Sequence, residues 1–141
     1  MSKYYSNQSV ITHAAALVML QAAIKKADEI GQPQCIVIVD ASGEVLAELR
    51  MTGSKFLSRK SARSKALTAA SIKAPSGSLP ESVRTPVSLA TDGSMTGLMG
   101  GLPIRKNGEC LGGVGVGSGT GDQDVEVAMA ALQAIEADME F

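Results

Sequence analysis

The stretch from Leu98 to Asp124 constrains this chain more than any other, because Asn107-Gly108 lies in it between two apolar runs. A type I′ turn needs positive φ at both central residues, and Asn-Gly is a pair that accepts this readily, so a β-hairpin is predicted here. The returning strand, residues 111–117, carries Gly at 113, 115 and 117. Side chains alternate across a strand, so one of its faces is almost bare and another backbone, helix or ligand can come close. Beyond it, Ser118-Gly119-Thr120-Gly121 leads into an amphipathic run opening with Asp122 and Asp124. Carboxylates suit the positive end of a helix, so both are read as capping a last helix over about residues 121–139, with Val125, Ala128, Met129, Leu132 and Ile135 inward.

The rest of the chain supplies the elements that cover this hairpin. Residues 1–8 read as a loose arm. Val10, Leu17, Leu20, Ile24 and Ala27 recur at helical spacing until Gly31 and Pro33 end the run, with Ser9 or Thr12 as the N-cap. Residues 35–40 form a β-branched run, and 45–51 alternate apolar with polar around the turn 41–44, which predicts a second hairpin. A strand apolar on both faces needs covering on both, so helices are expected above and below the sheet. Residues 54–70 read as a second helix with Phe56, Ala62, Ala66, Ala69 and Ala70 inward and Lys55, Arg59, Lys60, Arg63 and Lys65 outward. Residues 74–97 have loop composition broken by a short helix near 80–89, and read as a lid or interface segment. A short strand is expected over residues 96–99.

At 141 residues the chain fits a single domain, 1–141. It holds only two Phe and two Tyr and no Trp, so its core must be built from small side chains in close contact. A formal net charge of −1 creates no field favouring nucleic acid or anionic lipid, and neither partner is expected. No charged region precedes an apolar leader, and the apolar runs fall short of the ~20 residues that span a bilayer, so a cytoplasmic protein without membrane contact is expected. Cys35 and Cys110 are two scattered thiols, which suits buried inert residues better than a metal knuckle.

Chemistry-bearing motifs are few. No frame between 112 and 121 completes G-x-G-x-x-G, but the amides of Ser118, Gly119, Thr120 and Gly121 at a helix start suit a carboxylate or phosphate. His13 is the one histidine, so any triad or metal site must be built around it. It falls on the apolar stripe of the first helix, where neutral imidazole in apolar surroundings suits either a satisfied half-buried residue or an axial haem ligand. Between Glu48 and Glu81 no acidic residue occurs, which makes Arg59, Lys60, Arg63 and Lys65 either a solvated face or a cationic rim for an anionic ligand. Asp40 and Arg50 flank the first hairpin and are placed to pair across it. No nucleophile stands beside a base.

Taken in order, a set of motifs resembles the haem-binding GlcG/HbpS-like family, which includes the C-terminal domain of PduO-type cobalamin adenosyltransferases. These are Val39-Asp40-Ala41-Ser42-Gly43, Arg50-Met51-Thr52-Gly53, Lys65-Ala66-Leu67-Thr68-Ala69, Gly100-Gly101-Leu102-Pro103-Ile104, Gly108-Glu109, Gly112-Gly113-Val114-Gly115-Val116, Gly119-Thr120 and Gln123-Asp124. Gly121 stands where the family pattern has Pro. The resemblance implies an α+β fold with a five-stranded antiparallel sheet flanked by helices on both faces, in profilin-like α/β/α layers. It also implies homo-oligomers, with haem or another tetrapyrrole bound near subunit contacts through a first-helix histidine. On this reading His13 is the iron ligand and Arg59, Lys60, Arg63 and Lys65 serve the propionates. The alternative is an enzyme or accessory protein of a catabolic operon acting on a small carboxylate, held by the glycine turn with Arg50 or Lys65.

Overall fold

The computed structural model describes residues 2–141. Its elements run α1 (His13–Glu29), β1 (Cys35–Asp40), β2 (Val45–Arg50), α2 (Ser58–Ile72), a 3₁₀ turn (Ser76–Ser78), α3 (Glu81–Ala90), β3 (Gly101–Lys106), β4 (Glu109–Gly117) and α4 (Gly121–Ala134). The β3–β4 hairpin turns at Asn107 (φ 52°) and Gly108 (φ 81°), as a type I′ turn requires. The strands form one antiparallel sheet in the order β2-β1-β4-β3.

The sheet has four strands, not the five expected. Residues 96–99 do not pair, because side-chain hydroxyls take their main-chain groups: Thr96 N–H donates to Thr68 Oγ1 (3.0 Å), and Leu98 O accepts from Ser76 Oγ (2.6 Å). Nor can the stretch add to β3, whose free edge is already occupied. Gly101 N–H donates to Ser76 Oγ (2.9 Å), Pro103 has no N–H, and Arg105 O accepts from Asp138 N–H (2.8 Å).

Alternation along the strands divides the core. Ile36, Ile38, Leu102, Ile104, Val114 and Val116 face α1 and α4, while Cys35, Val37 and Val39 face α2. On the α2 side the bare face of β4 is filled by helix backbone. A Cβ at Gly113 would strike the carbonyl of Ala66, and one at Gly115 that of Ala62 with Ala66 N at 2.6 Å. Glycine is therefore the structural condition for α2 to lie so close.

Three helices differ from expectation. α1 is capped by Thr12, whose Oγ1 accepts from Ala15 N–H (3.1 Å). Its inward stripe is Ala16, Met19, Ala23 and Ala27, which keeps Ala27 of the expected set and leaves Leu20 and Ile24 half-buried at its margin, while Leu17 is 54% exposed and Val10, before the helix, is 73% exposed. Small alanines let α1 approach the sheet, and the larger residues are left outside. α2 begins at Ser58 rather than 54, because Ser54 Oγ and Lys55 N–H bond to Met51 O (2.7 Å) and Ser118 Oγ (2.9 Å) in a preceding turn. Phe56 accordingly lies outside, not in the core. α4 stops at Ala134 instead of about 139, where Glu136 turns to positive φ and the tail crosses to the β3–β4 hairpin. Among the described residues no helix is long and apolar enough to cross a membrane.

Candidate functional site

The best-defined polar centre lies where α2, β4 and α4 meet. Lys65 falls on the same face of α2 as Ala62, Ala66 and Ala69, so it points inward rather than to solvent as expected. Its Nζ donates to Asp124 Oδ2 (2.9 Å) and to Val116 O (2.8 Å), with both side chains almost fully buried. Asp124 Oδ1 in turn accepts from Gly119 N–H (3.0 Å). The ammonium must pass beside Gly100, whose φ of 123° excludes ordinary side chains and where a Cβ would sit 3.0 Å from Lys65 Nζ. The pair is thus a clamp that fixes the glycine turn and the start of α4.

The cap of α4 is Thr120, not the aspartates. Thr120 Oγ1 accepts from Gln123 N–H (3.2 Å) and Gln123 Oε1 accepts from Thr120 N–H (2.9 Å), which forms a capping box. Of the four amides in the turn 118–121, Gly119 N–H is held by Asp124 and Thr120 N–H by Gln123, while Ser118 Oγ and O receive Lys55 N–H (2.9 Å) and Nζ (3.4 Å). Asp40 does not pair with Arg50. Its Oδ1 accepts from Ser42 Oγ (2.8 Å), Ser42 N–H (2.9 Å) and Glu44 N–H (3.0 Å), and the Ser42 hydroxyl chiefly holds its carboxyl below the usual carboxylate range. Arg50 instead lies over the Phe56 ring, 6.0 Å from its centre.

His13 opens α1 and is exposed, and no described residue forms a hydrogen bond or ion pair with its imidazole. Leu17, four residues on, shares its side of the helix and is exposed, and Val10, in the segment before the Thr12 cap, is exposed as well. Beside Val10 lie two open clefts. One of about 230 Å³ runs between Val10, Ile11, Ala15 and Leu111 and has Arg105 and Lys106 on its wall; another of about 260 Å³ reaches from Val10 to Asp40 and Leu46. Arg105 and Lys106 are the cations that line this cleft, and a hairpin end offers no run of charge by which the sequence marks them.

Arg59, Lys60 and Arg63 lie elsewhere. α1 covers the Ile36/Ile38 face and starts where Ile11 meets Gly112, whereas α2 covers the Val37/Val39 face and starts where Ser58 meets Gly117. His13 and the Arg59 end of α2 are therefore on opposite faces and at opposite ends of the sheet. All three cations are exposed, and Arg59 Nε is bonded to Glu48 Oε1 at 3.2 Å. Among the described residues no three His, Cys, Asp or Glu side chains converge as a metal site.

Comparison with known proteins places these features in a family. A family profile described as "Haem degrading protein HbpS-like" matches residues 11–133. No curated protein matches. Among solved structures, Klebsiella pneumoniae protein ORFY is 32% identical, with 96% of this chain and 97% of that one covered and a TM-score of 0.88. A chain solved as a PduOC–haem complex is 25% identical over 94% of this chain and 100% of its own, with a TM-score of 0.86. A double mutant of Streptomyces reticuli HbpS is 29% identical over 96% and 93%, with a TM-score of 0.84. With residues 11–133 inside the match, from just before α1 to the last turn of α4, the chain belongs to the HbpS-like family.

Proposed function

We propose that this protein is a haem-binding or haem-sensing module that works as a homo-oligomer, with the tetrapyrrole held near subunit contacts. The observation that carries the reading is His13: an exposed imidazole, engaged by none of the described residues, with the exposed apolar Leu17 one turn on and the exposed Val10 just before the helix cap. The family's description and a similar chain solved with haem support the ligand's chemical class.

The donor set fits. The imidazole of His13 would hold haem iron, and apolar neighbours suit a macrocycle face. The clefts beside Val10, about 230 and 260 Å³, fall below the ~300–1,000 Å³ of an enclosing small-molecule site, which favours a ligand covered by two chains. In this arrangement His13 holds the group through a ring nitrogen while Val10 and Leu17 exclude water from it. Arg59, Lys60 and Arg63 of a second copy supply charge to the propionates, because in one chain the sheet separates them from His13. Lys65, committed to Asp124, acts only by fixing the turn. Haem would supply redox chemistry at its iron.

Haem titration followed in the Soret region, with the mass of the complex measured in parallel, tests the proposal. A saturable shifted band on an oligomer is the expected result. A spectrum identical to free haem in buffer would overturn the reading.

A further inference from the structure

The two edges of the sheet are treated differently. The β3 edge is covered by Ser76 and the 136–141 tail, which take the Gly101 N–H and the Arg105 carbonyl, and Pro103 lacks an N–H between them. The β2 edge has no such cover. Hydrogen bonds from Met51 N–H to Gln34 O (3.0 Å) and from Asp40 N–H to Glu44 O (2.9 Å) bracket the β1–β2 ladder, in which Leu49 faces Ile36 and Ala47 faces Ile38. Because alternate residues of an antiparallel ladder address the partner strand, Leu49 and Ala47 bond to β1 and Glu48 and Arg50 point their N–H and C=O outward. Among the described residues nothing bonds to those outward groups.

We infer that β2 pairs antiparallel with β2 of a second copy about a two-fold axis at Leu49, joining the two sheets into one of eight strands. The proposal rests on the self-association in the functional reading above and assigns one surface to it; a two-fold axis at Leu49 keeps both α1 layers on the same face of the joined sheet, so the copy whose Arg59, Lys60 and Arg63 approach His13 meets this chain through a second, separate contact. Charge selects the register. An axis at Glu48 would set Glu48 opposite itself, and one at Arg50 would set Arg50 opposite itself. An axis at Leu49 sets Glu48 opposite Arg50 twice, each pair exchanging both main-chain hydrogen bonds, with Leu49 against Leu49 on the α1 side. Opposite charges directly across a ladder are favourable and like charges are not. Charged residues on an edge strand commonly discourage pairing, but opposite signs two residues apart permit this one self-complementary alignment. Phe56, 65% exposed and stacked near Arg50, lies on the α2 side of the same edge and would be covered by the partner.

Light scattering of the full chain and its charge variants tests this. Glu48→Arg and Arg50→Glu should each raise the dissociation constant of this contact at least about tenfold, since each places like charges opposite. The double variant Glu48→Arg/Arg50→Glu should restore it, with circular dichroism confirming that all three are folded. Independently, Leu49→Cys should cross-link to a dimer under mild oxidation, because residues opposite at a non-bonded position lie within disulfide reach. Ala47→Cys, which faces residue 51 in this register, should not, and the unsubstituted chain with only Cys35 and Cys110 gives the baseline. A monomeric parent, an assembly insensitive to both single reversals, or equal cross-linking at 47 and 49 would overturn the inference. The Soret titration reads the haem proposal separately: an oligomer unchanged by charge reversal that still binds haem defeats only the edge, and a charge-sensitive dimer without a haem band defeats only the ligand.

Discussion

Lys65 Nζ lies 2.9 Å from Asp124 Oδ2 in a setting where both side chains are nearly inaccessible, and this one contact joins α2 to α4 across the end of β4. Removing one member leaves the other buried and uncompensated, which costs about 3–5 kcal/mol. Lys65→Met and Asp124→Leu should each lower the denaturant midpoint sharply, while the double variant recovers much of the loss. Urea unfolding of the four proteins measures the coupling, and additive losses would contradict the clamp.

The glycines of β4 predict a graded effect. A methyl at Gly115 meets the Ala62 carbonyl at overlapping distance, whereas one at Gly117 meets Ser58 O at 3.0 Å. Gly115→Ala should therefore destabilise by about 1–3 kcal/mol or more and Gly117→Ala by distinctly less. Thermal denaturation compares them, and equal midpoints would mean that α2 does not rest on this face.

Two carboxyls contribute to the acid limb of stability. The Ser42 hydroxyl holds Asp40 below the ordinary range, and Gly108 N–H, donating at 2.9 Å, does the same for Asp138. A lowered folded-state value means that the unfolded chain takes up the proton first as pH falls. The stabilisation is present above the ordinary carboxylate value of about 3.9 and disappears as pH descends through the folded values. Melting temperatures at neutral pH and near pH 3 should differ more for the parent than for Asp40→Asn, and parallel curves would refute the assignment.

What the sequence disclosed and what it hid follow from the same physics. Asn107-Gly108 was legible because its backbone conformation is rare, and the helix against Gly113 and Gly115 because a bare strand face needs a cover. On α1 the sequence marks Ala27 and, at the margin, Leu20 and Ile24, but not Ala16, Met19 and Ala23, because two sets of residues share helical spacing and the alanines that pack closest carry the weaker hydrophobic signal. Lys65 was read as solvent-facing from its charge, although its offsets of three, one and four from Ala62, Ala66 and Ala69 put it on the buried stripe. Residues 96–99 have strand composition, but strand formation needs an open edge, and that depended on Ser76 and Thr68 far away in the chain. The separation of His13 from Arg59, Lys60 and Arg63 depended on which face each helix covers, which no local pattern encodes.

The central claim is that His13 holds the haem, and parallel Soret titrations of the parent and His13→Ala test it most directly. Because His13 is exposed, its truncation should leave the circular dichroism spectrum unchanged. The account predicts that the histidine-ligated band of the parent is lost in the variant and that affinity drops at least about tenfold, the scale on which losing a metal-site interaction is felt. Identical bands and affinities in the two folded proteins would contradict it.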